Sequence, residues 1–296
     1  MFVHKIQIPD SILYVYLFYF ISSVNIFAQS AEAGYENEKI PLHLQSELTP
    51  PLQNDLSIFL DDGLTLAKAP FNFSSSDWLK TSAFVLVTGF AFALDPTVKS
   101  GVSNIHSYSI DNATGFGEKY GRSLYAGIFG AGLYLTGEII KNQEISSTGR
   151  MVVESVVYTG LVVGLLKYTI GRARPYENEG PSEFFEHTFT ENNISFPSGH
   201  TATAFALSTV ISRKIDNTFA TIGLYGLAGL TAYQRIYDNK HWFSDVFVGA
   251  AIGYFIGSSI ADSEEERSNE NTLLNNLNIM PSVGSSGLGL SLHLDF

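Results

Sequence analysis

Six apolar segments of helical length constrain the fold of this 296-residue chain more than any other feature. Each is rich in glycine, alanine and β-branched residues, and polar stretches separate them. The segments are 78–94, 122–140, 151–166, 200–212, 218–237 and 242–260. Helices joined by short connections pack as antiparallel neighbours. The sequence therefore predicts an all-α, up-and-down six-helix bundle.

Composition limits the classes of function that fit this bundle. Charged residues make up only 16% of the chain, which favours a membrane-associated or tightly packed small-residue bundle. The formal net charge of −12 argues against a nucleic-acid partner. The chain has no cysteine, which excludes a disulfide framework and thiol catalysis.

The expected domain organisation has four parts. An apolar run interrupted by small polar residues predicts a signal peptide over 1–28, with a cleavage site near Ala28. Residues 29–75 read as a linker that contains an amphipathic helix over 56–67. The helical bundle is expected over 76–263, because the acidic run 262–267 interrupts the apolar pattern. The tail 264–296 carries alternating leucines, which predict a short β-hairpin that turns at 284–287.

The predicted helices are weak membrane spans. A span needs about 20 apolar residues, whereas the second segment ends near Glu138, the third contains Glu154 and the fourth is short. Two interpretations stay open at this point. Either some of the six helices do not cross a membrane, or the bundle is a periplasmic domain that rests on one.

Three short motifs carry residue types suited to phosphate chemistry, and each lies at an end of a predicted helix. They are KYTIGRARP at 167–175, PSGH at 197–200 and RIYDNKHWFSD at 235–245. Lys167, Arg174 and Arg235 can neutralise a phosphate, and the two arginines can each bind two of its oxygens. Backbone amides of Ser198 and Gly199 precede a helix, where anions are favoured. In an up-and-down bundle all three motifs meet at one end.

Histidine chemistry completes the site. His241 and Asp245 are four residues apart, so on a helix they share one face. The carboxylate can then hold one ring nitrogen and direct the other at phosphorus. His200 is free to protonate the leaving alkoxide. No metal is needed, because the basic residues neutralise the phosphate.

These motifs resemble the type 2 phosphatidic acid phosphatase superfamily, which also includes class A acid phosphatases and vanadium haloperoxidases. The resemblance spans about 76–263 and implies the superfamily's helical fold. It implies His241 as the phosphorylated nucleophile, Asp245 as its orienting carboxylate and His200 as the general acid. The phosphate ligands that it implies are Lys167, Arg174, Ser198, Gly199 and Arg235.

Two residues in the motifs do not fit the family pattern. Gln234 stands where the family pattern Ser-Arg-x5-His-x3-Asp has serine, and we expect a local packing change without loss of activity. Arg172 also lies in the first motif, but its offset does not fit the family pattern Lys-x6-Arg-Pro. We expect it to be a solvated cation at a helix end.

The sequence thus predicts a metal-independent phosphatase that hydrolyses a lipid phosphate or lipid pyrophosphate through a phosphohistidine. No cofactor is expected, and vanadate is expected to inhibit. The expected partners are a phosphorylated lipid or a small phosphoester, together with membrane lipid. The protein is expected in a bacterial cell envelope, with its active site facing the periplasm; an active site that faces the cytoplasm is the alternative. The alternatives are a broad-specificity soluble periplasmic acid phosphatase, a vanadate-dependent haloperoxidase and a non-catalytic envelope binding protein.

Overall fold

The computed structural model describes residues 51–102, 108–185, 190–275, 277–284 and 287–294. Within these ranges lie eight α-helices: α1 (Pro51–Lys68), α2 (Ser75–Val102), α3 (Tyr108–Tyr120), α4 (Ser123–Ile140), α5 (Gln143–Ile170), α6 (Gly199–Ile215), α7 (Thr218–Tyr237) and α8 (Phe243–Asn275). The expected signal peptide (1–28) and the first part of the expected linker, 29–50, lie outside the described residues.

The all-helical prediction is confirmed, but the count of six is too low for the described part of the chain. The six apolar segments correspond to α2 and α4 to α8. Helix α1 contains the amphipathic stretch 56–67, and α3 has no counterpart among the apolar segments. The sequence of α3, YSIDNATGFGEKY, carries polar residues in every turn, so it lacks the apolar stripe by which a helix is recognised.

Helix α8 continues well past the acidic run that was expected to end it. Ion pairs with other helices accommodate the charges there: Arg267 Nη1 lies 2.7 Å from Asp62 Oδ1 on α1, and Glu264 Oε2 lies 2.5 Å from Arg150 Nη2 on α5. A helix with paired charges on its buried side keeps its hydrogen bonds and its packing. Helix α8 therefore reaches Asn275.

Helices α6 and α8 pack with their backbones in close approach. Three glycines of α8, spaced four residues apart, form the contact. A Cβ added at Gly249 would lie 2.5 Å from Ser198 O, one at Gly253 would lie 2.0 Å from Ala202 O, and one at Gly257 would lie 2.9 Å from Ala206 O. Small residues at this spacing let two helix backbones meet. We call this contact the glycine seam.

Four of the described helices are long and apolar enough to cross a membrane, which corrects the expectation of weak spans. They are Ser75–Val102, Ser123–Ile140, Gln143–Ile170 and Phe243–Asn269. Glu154 does not prevent α5 from spanning, because Arg150 one turn earlier donates to it at 3.0 Å. The third span is also longer than its apolar segment. The described part of the chain thus carries four candidate membrane spans.

Two strands follow the last helix. β1 (Leu277–Gly284) and β2 (Gly287–Leu294) pair antiparallel, with Leu277 opposite Leu294 and Gly284 opposite Gly287. The pairing brings the end of the described chain back beside the end of α8.

Candidate active site

The end of α5 meets the start of α6. Lys167, in the last turn of α5, donates a hydrogen bond to the backbone carbonyl of Ile194, in the loop that leads to α6. A Cβ added at Gly199 would lie 3.9 Å from Lys167 Cε. The first and second motifs are therefore neighbours, and the first helical turn of α6 lies beside a cation.

Arg174 joins the first motif to the third. Its Nε donates to Glu191 O at 2.7 Å, and its Nη1 reaches Lys240 O at 3.3 Å. Lys240 immediately precedes His241. The guanidinium is thus fixed by backbone carbonyls on both sides of the site.

Arg235 lies near the end of α7 and is held by the residue that departs from the family pattern. Its Nε donates to Gln234 Oε1 at 2.5 Å, and Gln234 Nε2 donates to Asp238 Oδ2 at 2.5 Å. Glu118 of α3 lies 3.9 Å from the Arg235 guanidinium. The longer side chain of Gln234 therefore makes its own contact to Arg235, and the change from serine is local.

Asp245 lies in the first turn of α8, whereas His241 lies two residues before this helix begins at Phe243, so the two residues do not share a helix face as their spacing predicted. The distance from His241 Nδ1 to Asp245 Oδ2 is 3.6 Å, which is longer than a hydrogen bond. Among the described residues, Nδ1 has no hydrogen-bond partner. Asp245 Oδ2 instead accepts from Ser195 Oγ at 2.5 Å and from Trp242 N at 2.8 Å.

Both predicted catalytic histidines have depressed pKa values. Burial lowers the pKa of His241 to about 3, Asp245 opposes this shift, and Lys167 and Arg174 add to it. Burial also lowers the pKa of His200 to about 3, with further depression by four cations: Arg235, Arg122, Lys167 and Arg174. Lys167 and Arg174 thus lower the pKa values of both imidazole rings. The three motifs form one site in which both histidines are neutral at neutral pH.

Backbone contacts complete this arrangement. Ser198 N donates to Asp245 O at 2.9 Å, and His241 N donates to Arg235 O at 3.1 Å. The turn between α3 and α4 also approaches the site, since a Cβ added at Gly121 would lie 2.7 Å from His200 O. All eight predicted site residues therefore lie at the end of the bundle where α5 and α7 end and α6 and α8 begin.

Arg172 differs from its expected role as a solvated cation. Its side chain is fully buried and forms ion pairs with Asp245 and with Asp95 of α2, each at 2.6 Å. The reason is the backbone at Gly171, which ends α5 with a φ of 58° and turns the next residue inward. A signal for this contact was present in the sequence: Asp95 directly follows an apolar segment, and an ionisable residue in a membrane span has a partner.

Part of the chain is similar to proteins of a known superfamily. The model of the PAP2 superfamily matches residues 149–267, which contain all eight predicted site residues. The lipid A 1-phosphatase of Porphyromonas gingivalis is 37% identical over 116 residues, which are 38% of this chain and 23% of that protein. The lipid A 1-phosphatase of Rhizobium etli is 32% identical over 114 residues, 37% of this chain and 47% of that protein. The chain thus spans less than half the length of these curated relatives.

Two solved structures are also similar. Aquifex aeolicus LpxE matches with a TM-score of 0.46 and 25% identity, over 57% of this chain and 95% of LpxE. A PAP2-type phosphatidylglycerolphosphate phosphatase from Bacillus subtilis matches with a TM-score of 0.41 and 18% identity, over 72% of this chain and 96% of that one.

Proposed function

The chain belongs to the PAP2 superfamily, and from that premise we propose that it is a metal-independent lipid phosphatase. It hydrolyses a lipid phosphate or lipid pyrophosphate through a phosphohistidine. The observation that carries this proposal is the position of His241. A buried, neutral imidazole lies with its Nδ1 3.6 Å from a buried carboxylate and close to Lys167 and Arg174.

In the first half-reaction, the ring nitrogen of His241 that points away from Asp245 attacks phosphorus. The bond from phosphorus to the ester oxygen breaks, and His200 donates a proton to the leaving oxygen; His200 is protonated in the complex because the bound dianion raises its pKa. The imidazole becomes positively charged, and Asp245 stabilises it. In the second half, water attacks phosphorus, His200 takes a proton from that water, and the bond from phosphorus to nitrogen breaks.

The phosphate ligands supply positive charge where negative charge develops. Arg174 and Arg235 bind non-bridging oxygens with their planar guanidinium groups, and Lys167 adds a point charge. Backbone amides at Ser198 and Gly199 point out of the start of α6, which favours an anion. Their fixed positions support stabilisation of the transition state without reorganisation of the site.

A lipid substrate is supported by the surface of the candidate spans. Large apolar side chains on α2 are exposed, among them Leu86 at 75% and Phe90 at 65%. Such a surface suits contact with lipid tails, and a membrane-embedded bundle meets its substrate in the bilayer. Because the two curated relatives described above are named lipid A 1-phosphatases, the first substrate to test is a phosphate on lipid A.

We expect phosphate release from lipid A, phosphatidate and undecaprenyl pyrophosphate to continue in EDTA and to be inhibited by vanadate. Arginine and lysine supply the charge in place of a metal, and vanadate mimics the trigonal-bipyramidal transition state. The measurement is phosphate release by the detergent-solubilised protein, with soluble esters as the comparison. Complete loss in EDTA that Mg²⁺ restores would contradict the mechanism, and activity on soluble esters alone would contradict a lipid substrate.

We propose that the site faces the periplasm of a bacterial cell, following the signal-like sequence at 1–28. This placement requires that one of α2, α4 and α5 does not cross the membrane, because three crossings after a cleaved signal would put the end of α5 in the cytoplasm. The chain has no cysteine, so single cysteines can report which side is exposed. Glu179 is exposed near the site, and Gln143 is exposed at the opposite end of α5. A membrane-impermeant maleimide is expected to label Glu179→Cys but not Gln143→Cys in spheroplasts. The reverse pattern would place the site in the cytoplasm.

A further inference from the structure

A buried group of three charged side chains lies behind the proposed nucleophile. Arg172 Nη1 donates to Asp245 Oδ1 at 2.6 Å, and Arg172 Nη2 donates to Asp95 Oδ2 at 2.6 Å. All three side chains are fully excluded from solvent. The carbonyl of Pro181 accepts from Nε and Nη2 at 2.8 and 2.6 Å, so the guanidinium is fixed from a third direction.

Ser244, in the first turn of α8, forms hydrogen bonds with Asp95 and Arg172. Its backbone N donates to Asp95 Oδ1 at 2.8 Å, and its hydroxyl donates to Asp95 Oδ2 at 2.7 Å. Arg172 Nη1 also donates to the Ser244 hydroxyl oxygen at 2.7 Å. Asp95 therefore contacts the first turn of α8 directly, at Ser244, and also through Arg172.

The net charge of Arg172, Asp95 and Asp245 together is negative. Two carboxylates and one guanidinium leave one negative charge. If Arg172 paired with Asp245 alone, the two charges would cancel, and little attraction would remain for a positively charged imidazole. Because Asp95 takes one side of the guanidinium, Asp245 keeps its negative charge towards His241.

The hydrogen bonds of Asp245 also fix the orientation of its carboxylate. Arg172 occupies Oδ1 of Asp245, whereas Ser195 and Trp242 N occupy Oδ2, the oxygen 3.6 Å from His241 Nδ1. The carboxylate can neither rotate nor shift without breaking one of these bonds. Its Oδ2 is thereby held on the side of the imidazole.

On the basis of the proposed function, we infer that Arg172 and Asp95 are positioning residues that orient Asp245 and, through it, the nucleophile His241. Neither is among the phosphate ligands. Asp95 lies on α2, outside the residues 149–267 that match the family model. A helix beyond the matched region thus completes the site.

Two conservative variants test this inference. Arg172→Lys keeps one charge but cannot donate to both carboxylates from a planar fork. Asp95→Asn keeps the size of the side chain and removes its charge. For each variant we expect kcat to fall about 10²-fold, the loss typical of a misplaced reacting group. KM should stay near the wild-type value, because Lys167, Arg174 and Arg235 are unchanged.

Arg150→Lys is the matched control. Arg150, within α5, is another buried arginine, and it pairs with Glu154 and Glu264. It lies 17 residues before Lys167, roughly 25 Å along the helix from the site. We expect Arg150→Lys to lower the thermal unfolding midpoint while kcat, measured per folded protein, stays unchanged.

A third readout separates positioning from folding. Arg172→Ala leaves a space for a guanidinium ion, and added guanidinium or methylguanidinium at low concentration is expected to restore part of kcat. The rate of phosphohistidine formation should recover in parallel. A defect in folding alone gives no such recovery.

The outcomes are distinguishable. If wild-type protein turns over through a phosphohistidine, yet Arg172→Lys and Asp95→Asn lose only stability, as Arg150→Lys does, the inference is overturned and the proposed function stands. If wild-type protein forms no phosphohistidine during turnover, the proposed function fails and the inference fails with it. A selective loss of kcat in both variants, with KM retained, supports the inference.

Discussion

Replacing His241 with alanine is expected to abolish turnover, with kcat reduced on the order of 10⁶-fold, as for other enzymes that lose their nucleophile. The reason is that His241 has both a carboxylate 3.6 Å from its Nδ1 and two cations that act on its ring. Among the described residues, no other histidine has a carboxylate neighbour of this kind. The measurement is phosphate release together with acid-quenched trapping of a radiolabelled phosphoenzyme.

His241→Asn is the matched control for loss of side-chain volume, since the imidazole is buried and alanine leaves a space. Both variants should still bind inorganic phosphate, because Lys167, Arg174 and Arg235 are unchanged. Radiolabel retained on the His241→Ala protein at wild-type stoichiometry would show that another residue carries the phosphate.

Replacing His200 with alanine is expected to have the second-largest effect, and the effect should depend on the leaving group. A general acid contributes roughly 10²–10⁴-fold, and only where the leaving oxygen needs a proton. Alkyl and lipid phosphates should therefore lose most of their rate, whereas nitrophenyl phosphate, with an acidic leaving group, should lose little. Equal losses for both substrates would assign His200 to binding instead of proton transfer.

The protonation of His200 should follow the substrate. Burial and four neighbouring cations lower its pKa to about 3, so above that pH the ring is neutral in the empty site. A bound dianion offsets those cations and raises the pKa, because a nearby opposite charge favours the protonated form. Wild-type protein should therefore take up a proton when it binds vanadate near pH 7, as weakly buffered calorimetry or a pH indicator can measure. His200→Ala should not show this uptake.

The helices and the grouping of the motifs were predictable because they follow from patterns within the chain. Apolar segments of helical length predict α2 and α4 to α8, and the order of their ends gathers His200, Arg235 and His241. Helix α3 was missed because its sequence is polar throughout. The close backbone approach of Gly121, in the turn after α3, to His200 O depends on tertiary packing.

The role of Arg172 was missed for a related reason, although Asp95 at the end of an apolar segment indicated a buried partner. The family spacing selects Arg174 and says nothing about a second arginine two residues earlier. Its partners, Asp95 and Asp245, are 77 and 73 residues away in the chain. Only the turn at Gly171 decides that the side chain enters the protein. In the same way, the contact of Gln234 with both Arg235 and Asp238 depends on side-chain reach that a motif does not encode.

The glycine seam has a consequence for how this protein can diverge. Helix α6 carries His200 and helix α8 follows His241, and the two helices meet main chain against main chain at Gly249 and Gly253. The spacing of the two proposed catalytic histidines is therefore set by backbone contact, and no side chain at the seam can adjust it. Substitutions at exposed positions of the candidate spans leave this backbone contact, and with it the spacing of the two histidines, unchanged. A new substrate is then reached through the loops and α3 instead of through the helix pair.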